Sequence, residues 1–243
     1  REDRTKELEQ AIEDTVQAGG TLMIPAFSLE RTQELLAEIN EFVEHGRIPS
    51  VPMYLDSPLA ARVTKIYQKS TEFFNDRTRH IINEGDNIFD FKGLKITSSV
   101  AESKAINEAP NPKVVIAGSG MMNGGRILHH AMRYLPDQKS MLLFVGYQAD
   151  GTLGRIIQAG ARQVNIYGND IPVRARIALI HGYSGHAGAD ELFQFVEQVK
   201  DSVQRVFCVM GDPSSSSALA ARLRDHLGLY AVAPEEASTV VLD

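Results

Sequence analysis

Val114-Val115-Ile116-Ala117-Gly118-Ser119-Gly120-Met121-Met122-Asn123-Gly124-Gly125-Arg126 runs from an apolar stretch, through small residues, into a segment with helical content. A strand that ends on glycine and reopens as a helix is the unit from which parallel sheets are assembled. The same step recurs on either side. Glu7, Ala11, Ile12, Thr15 and Val16 keep partial helical spacing, Gly19-Gly20 stop that helix, and Thr21–Ile24 read as a strand. The loop Pro25-Ala26-Phe27-Ser28 follows, with Ser28 as the expected N-cap of a helix through about Phe42. Val51–Leu55 is the next strand, and Asp56-Ser57-Pro58 opens another helix with Pro58 near its first turn. Residues 75–93 read as irregular. Leu94–Thr97 and Met141–Val145 add strands, with helices near 101–107 and 126–134. The expected fold is therefore α/β, a parallel sheet flanked by helices on both faces.

After Gly151 the pattern changes. Val164–Tyr167 and Val173–Ile180 read as strands, and a loop rich in Gly, Ser and His follows. Next come a helix near 189–200, a strand at Val206–Val209, a helix near 215–227 and short strands near Tyr230 and Val240. The expected division is a domain over 1–180 and a second part over 181–243.

The 243 residues are 43% hydrophobic, and their apolar runs are strand-sized, far short of the ~18 residues of a membrane span. Cys208 is the only cysteine, which excludes a disulfide framework. A net charge of −6 argues against a tail-driven or histone-like nucleic-acid binder, but leaves room for a local cleft that grips phosphates.

Several segments could carry chemistry. Glycines in the Gly118–Gly125 stretch let backbone N–H groups approach an anion beside a helix start, with Arg126 near; the same stretch also reads as a plain strand-to-helix turn. A dinucleotide loop is poorly matched, because Asp137 precedes the next strand instead of ending it. Arg31 falls in the first turn of its helix, placed either to reach a phosphate or simply to be solvated. Asp56 and Ser57 end another strand, as helix cap or as part of the same rim. His186 lies in the glycine-rich loop His181-Gly-Tyr-Ser184-Gly-His186-Ala-Gly, which suits a rigidly held imidazole. No His-x-His, His-x-x-x-His or Cys-x-x-Cys spacing occurs, so the chain does not encode a complete zinc site. Gly182-Tyr-Ser184-Gly lacks the spacing of a nucleophile elbow.

Taken in order, four blocks resemble the β-CASP branch of the metallo-β-lactamase superfamily, the RNA-processing nucleases related to the cleavage-and-polyadenylation endonuclease subunit. They are Gly19 through Leu36, with Ile24-Pro-Ala-Phe-Ser-Leu-Glu-Arg31-Thr-Gln-Glu-Leu-Leu at its centre; Tyr54-Leu-Asp-Ser-Pro-Leu-Ala60; Gly118-Ser-Gly-Met-Met122; and Gly146-Tyr-Gln-Ala-Asp-Gly-Thr-Leu-Gly154. The resemblance implies a β-CASP domain over 1–180 and, over 181–243, the C-terminal part of a metallo-β-lactamase αββα domain. It also implies a cytoplasmic hydrolase that binds RNA between the two and cleaves a phosphodiester with two zinc ions.

The family's main metal motif, His-x-His-x-Asp-His, is absent, as is the acidic residue preceding the cap, so the missing N-terminal metallo-β-lactamase part is an expected partner. These residues alone are expected neither to hold two zinc ions nor to cleave RNA. A homodimer is compatible with the resemblance.

His186, in Ser-Gly-His-Ala, matches the motif whose histidine meets the reacting phosphate and helps protonate the leaving group. Phosphate contacts are expected from Ser119, Gly120, Arg31 and Ser184, and Asp56, Ser57, Gly118 and Arg126 are expected to take part in substrate binding. Where the family has a zinc-binding histidine, Val209-Met210-Gly211-Asp212 has Met210, a soft neutral thioether unsuited to zinc. Two other readings stay open: a non-catalytic RNA-binding or scaffold homologue, which Met210 favours, and a nucleotide-binding α/β protein using Gly118–Gly125. DNA in place of RNA is subordinate to these.

Overall fold

The computed structural model describes residues 2–241, which divide into two compact units, one ending at Ser184 and the other beginning at Gly185. The sequence reading puts its boundary after residue 180.

The first unit holds α1 (Glu2–Ala18), β1 (Thr21–Pro25), α2 (Arg31–Glu44), β2 (Met53–Asp56), α3 (Pro58–Lys69), α4 (Asp76–Asn83) and β3 (Leu94–Ile96). It continues with α5 (Val100–Ala105), β4 (Lys113–Ala117), α6 (Arg126–Tyr134), β5 (Met141–Phe144), α7 (Leu153–Gln158), β6 (Gln163–Ile166), β7 (Asn169–Pro172) and β8 (Arg176–Leu179). Six of these strands form one parallel sheet in the order β3-β2-β4-β1-β5-β8. The four inner strands β2, β4, β1 and β5 are buried on both faces, so they are mostly apolar and successive residues feed opposite cores. Leu22, Ile24, Val114 and Ile116 pack on one side with Leu35, Leu36 and Ile39 of α2. Met23, Val115, Leu142 and Phe144 pack on the other with Ile127, Leu128 and Ala131 of α6.

This topology has a functional consequence. The chain leaves β1 through α2 toward β2 on one side, and leaves β4 through α6 toward β5 on the other. Adjacent strands whose connections diverge open a crevice at their carboxyl ends. Here the crevice falls between the loop after Pro25 and the loop after Ala117.

Four local expectations are corrected. Ser28 does not cap α2: the helix starts at Arg31 after Glu30, which adopts a φ of 64°, and no side chain caps it. Ser28 lies instead 3.4 Å, Oγ to Oγ, from Ser57. Residues 75–93 contain α4, whose Asn75 cap accepts the Thr78 N–H at 2.9 Å. The run Val173–Ile180 is no single strand. Its start follows the antiparallel hairpin β6–β7, and its end is β8, paired in parallel with β5. Near Val240 no strand forms among the described residues.

The second unit holds α8 (Ala189–Glu197), β9 (Arg205–Phe207), α9 (Pro213–Leu227) and β10 (Tyr230–Val232). The two strands pair in parallel, and Cys208, Ala220, Leu223 and Ala231 form a small core.

Candidate functional site

The crevice is built by glycines that let three loops meet. A Cβ on Gly118 would sit 3.7–3.9 Å from Ala26 O, Ser57 Oγ and Ser28 Oγ, so the ends of β1, β2 and β4 converge there. Gly120 packs beneath Phe27, and a methyl at that position would come within 2.8 Å of the ring. Gly125 is required on two grounds. Its φ is +80°, and a Cβ would lie 2.2 Å from Gly118 O. The loop closes on itself: Ser119 N–H donates to Gly124 O at 3.1 Å, Ile127 N–H to Gly118 O at 3.0 Å, and Asn123 N–H to Ser119 Oγ at 3.1 Å. Ser119 is left half-buried at the crevice. Ser57 is largely occupied, because its Oγ caps α3 by accepting the Ala60 N–H at 3.2 Å.

Gln148, buried between loops, ties this cradle to the end of β5. Its Nε2 donates to Gly120 O at 3.0 Å and to Gly146 O at 3.2 Å. Gly154 lies so close to the Gln148 amide that a Cβ would come within 1.8 Å of Oε1. Beyond it, a cavity of about 230 Å³ is lined by Gly146, Tyr147, Arg155, His181, Tyr183 and Ser184, among others. Ser184 is exposed there.

Asp56, expected at the substrate, ends β2 with its side chain turned inward. Its carboxylate is fully buried and divided among four of the chain's own side chains. Oδ1 accepts from Thr97 Oγ1 at 2.5 Å and Arg126 Nη1 at 2.6 Å. Oδ2 accepts from Ser103 Oγ at 2.7 Å and lies 2.7 Å from His130 Nε2. Burial by itself would raise this carboxyl, but hydrogen bonds from His130, Ser103, Thr97 and Arg126 outweigh it and hold the group far below the ordinary carboxylate range. Arg126 is thus anchored from below, with its other nitrogen donating to Ser98 O at 3.3 Å.

Arg31 is likewise engaged within the protein. Its side chain is 12% exposed, pairs with Glu34, and places its guanidinium 5.5 Å over the Tyr183 ring. Arg4 covers the same ring at 4.4 Å and bonds Glu38 at 2.5 Å, while the Tyr183 hydroxyl donates to Glu38. Tyr183, 1% exposed, is the buried post of this cluster. Burial first, then the Glu38 charge, pushes its phenol far above the ordinary range. The site as read from the sequence lacked Arg4, Glu38, Tyr183 and His130. Gln148 was legible only as part of the Gly146–Gly154 block.

In the second unit, His186 is exposed in the loop before α8. Met210 is fully exposed with φ 65°, in the loop after β9. Among the described residues, no three His, Cys, Asp or Glu side chains are grouped to hold a metal, and a solvent-exposed thioether adds nothing for zinc. The described residues do not fit a zinc centre.

Residues 32–157 match the family model described as "Beta-Casp domain", and residues 170–234 match that described as "Zn-dependent metallo-hydrolase RNA specificity domain". The chain is 41% identical over 215 residues to "Ribonuclease TTHA0252" of Thermus thermophilus, spanning 88% of this chain and 48% of that protein. It is 32% identical over 246 residues to "Transcription termination factor FttA" of Methanosarcina mazei, spanning 99% of this chain and 38% of that protein. With FttA of Pyrococcus horikoshii it shares 33% over 248 residues, spanning 100% and 38%. The chain covers less than half the length of these relatives. No described helix is long and apolar enough to cross a membrane.

Proposed function

The chain belongs to the β-CASP family, and from that premise we propose that it is the RNA-binding portion of a zinc-dependent RNA-processing nuclease of the cytoplasm. The observation that carries the reading is the cradle at the carboxyl ends of β1, β2 and β4. There, glycines let the three loops pack closely on one another, and the half-buried Ser119 lies in the loop that leads into α6. Such a place suits an RNA phosphate. Ser119, Gly118, Gly120 and, at the neighbouring cavity, Ser184 supply the contacts in this reading. Asp56, Ser57 and Arg31 act from behind: they hold Arg126, α3 and Tyr183 in position.

His186 is the proton donor to the leaving oxygen in this proposal. Zinc would supply an activated hydroxide in this reading, and because the described residues do not group to hold it, they would not turn RNA over by themselves. Met210, standing where the family has a zinc-binding histidine, favours a second reading, an RNA-binding homologue without cleavage.

The test uses the full-length protein with zinc supplied, measuring single-turnover cleavage and RNA affinity separately. Ser119→Ala weakens RNA binding, and His186→Ala slows cleavage by about 10²–10⁴ with affinity held within a few-fold. Unchanged cleavage in His186→Ala removes that residue from the chemistry. RNA binding without any cleavage by the unmodified protein selects the second reading.

A further inference from the structure

A basic feature lies on the first unit, beside the start of α6. Between α5 and α6 is a cavity of about 610 Å³, within the roughly 300–1,000 Å³ of small-ligand clefts. Ser103, Lys104, Arg126, His129, His130 and Arg133 line it, and among its described lining residues none is acidic. In a chain of net charge −6, that is a local inversion of sign. The one carboxylate behind it, Asp56, is already committed to Arg126, His130, Thr97 and Ser103. Glu102, on α5, accepts from the N–H groups of Ser98 and Ser99, each at 2.8 Å. Lys104 and Arg133 have no carboxylate within ion-pair distance among the described residues, and Arg133 donates to the Asn107 carbonyl at 3.2 Å. The Lys113 ammonium is held below its ordinary range by burial and then by the charge of Arg133, which fits positive charge left uncompensated here.

Two further observations point to a ligand. His130 is 2% exposed, yet its Nδ1 is buried without a hydrogen-bond partner, a cost that folded chains seldom leave standing. At the edge of the cavity His129 stacks on Tyr167 with centroids 5.3 Å apart and planes 29° apart, and Tyr167 is 59% exposed. A basic groove beside an exposed aromatic step is the combination that holds single-stranded nucleic acid, phosphates on the cations and a base on the ring.

We propose that the α5–α6 cavity is a second subsite for single-stranded RNA, in which Lys104 and Arg133 receive backbone phosphate and Tyr167 a stacked base. The proposal rests on the RNA-binding reading above. Arg126, anchored on Asp56 at the end of β2 and lining this cavity, connects the subsite to the strand-tip crevice. RNA long enough to pass Arg126 engages both; short RNA engages the crevice alone.

The experiment uses the full-length protein with two single-stranded RNAs, one of roughly 4 and one of roughly 20 nucleotides, across a salt series. The variants are the exposed double substitution Lys104→Gln/Arg133→Gln and the separate Tyr167→Ala, with thermal melting to verify that each is folded. For the long RNA the double variant binds about tenfold more weakly, and its log K against log salt slope is shallower by about 0.7 per lost phosphate contact. Tyr167→Ala weakens the long RNA about fivefold or more with the slope unchanged. Neither variant changes binding of the short RNA. If both variants bind long RNA as the unmodified protein does, while Ser119→Ala weakens it, the subsite is refuted and the RNA reading stands. If even the unmodified protein binds neither RNA, both fall. Titration with inorganic phosphate and with a mononucleotide separates the remaining source: tight binding of either that long RNA does not displace refutes an RNA subsite here.

Discussion

His130 and Asp56, 74 residues apart in sequence, meet at 2.7 Å inside the first unit, where the last residue of β2 touches the middle of α6. Around that contact Arg126, Thr97 and Ser103 complete a shell on one buried carboxylate. The arrangement fixes the start of α6, and therefore the cradle that precedes it, relative to the end of β2.

Removing the carboxylate leaves Arg126 and the hydroxyls of Thr97 and Ser103 without their acceptor. Asp56→Ala lowers unfolding stability by about 3–5 kcal/mol, as expected when one member of a buried ion pair is deleted. Urea unfolding checks this; a midpoint within error of the parent refutes the structural role assigned to Asp56.

Acid acts on the same region with a defined sign. Glu102 closes the capping box of α5 with Ser99, and the backbone N–H groups of Ser99 and Ser98 are the main cause that lowers its carboxyl from 4.5 to about 2. A carboxyl depressed in the folded state contributes stability that is present above its unfolded value and lost as pH falls through the folded one. The α5 cap is therefore intact above about pH 4.5 and weakens toward pH 2, with Asp56 resisting to still lower pH. Protection of the Ser98 and Ser99 amides, taken relative to their intrinsic exchange rates, falls across that window, whereas Glu102→Gln removes the pH dependence of that protection. A flat profile in the parent contradicts the cap.

Gly125→Ala meets the Gly118 carbonyl at 2.2 Å, and every neighbouring atom within 2.8 Å is backbone. Relief requires moving the loop itself, so the variant loses about 1–3 kcal/mol of stability and most of its RNA affinity. Gly124→Ala, with nothing within 4 Å, serves as the matched control. Equal affinity in the two variants breaks the link between loop shape and binding.

Tyr183→Phe deletes the hydroxyl that Glu38 accepts while leaving Glu38 its bond to Arg4. The expected loss is about 1–2 kcal/mol. In alkaline titration of the parent, one of the seven tyrosines stays un-ionised until the unit unfolds, because burial and then Glu38 oppose the phenolate. Full ionisation of all seven before unfolding is the opposing result.

Periodicity and small residues at strand ends, both properties of neighbouring positions, were enough to read the α/β class, most strand positions and the glycine cradle from the sequence. Gly118–Gly125 could be recognised because a tight strand-to-helix turn needs glycine locally. The Asn75 cap of α4 was equally local, but its helix is short and polar, so no apolar period announced it. What the tertiary structure alone decided is where charges terminate. Arg31 settled on Tyr183 and Glu34, Asp56 turned inward to Arg126 and His130, and Ser28 turned to Ser57. Apart from Arg31 and Glu34, which are one turn apart in α2, each of these pairings joins residues from distant parts of the chain. A side chain's partner is set by which strands are neighbours in the sheet, and the order β3-β2-β4-β1-β5-β8 is a property of the packed chain that no local spacing encodes.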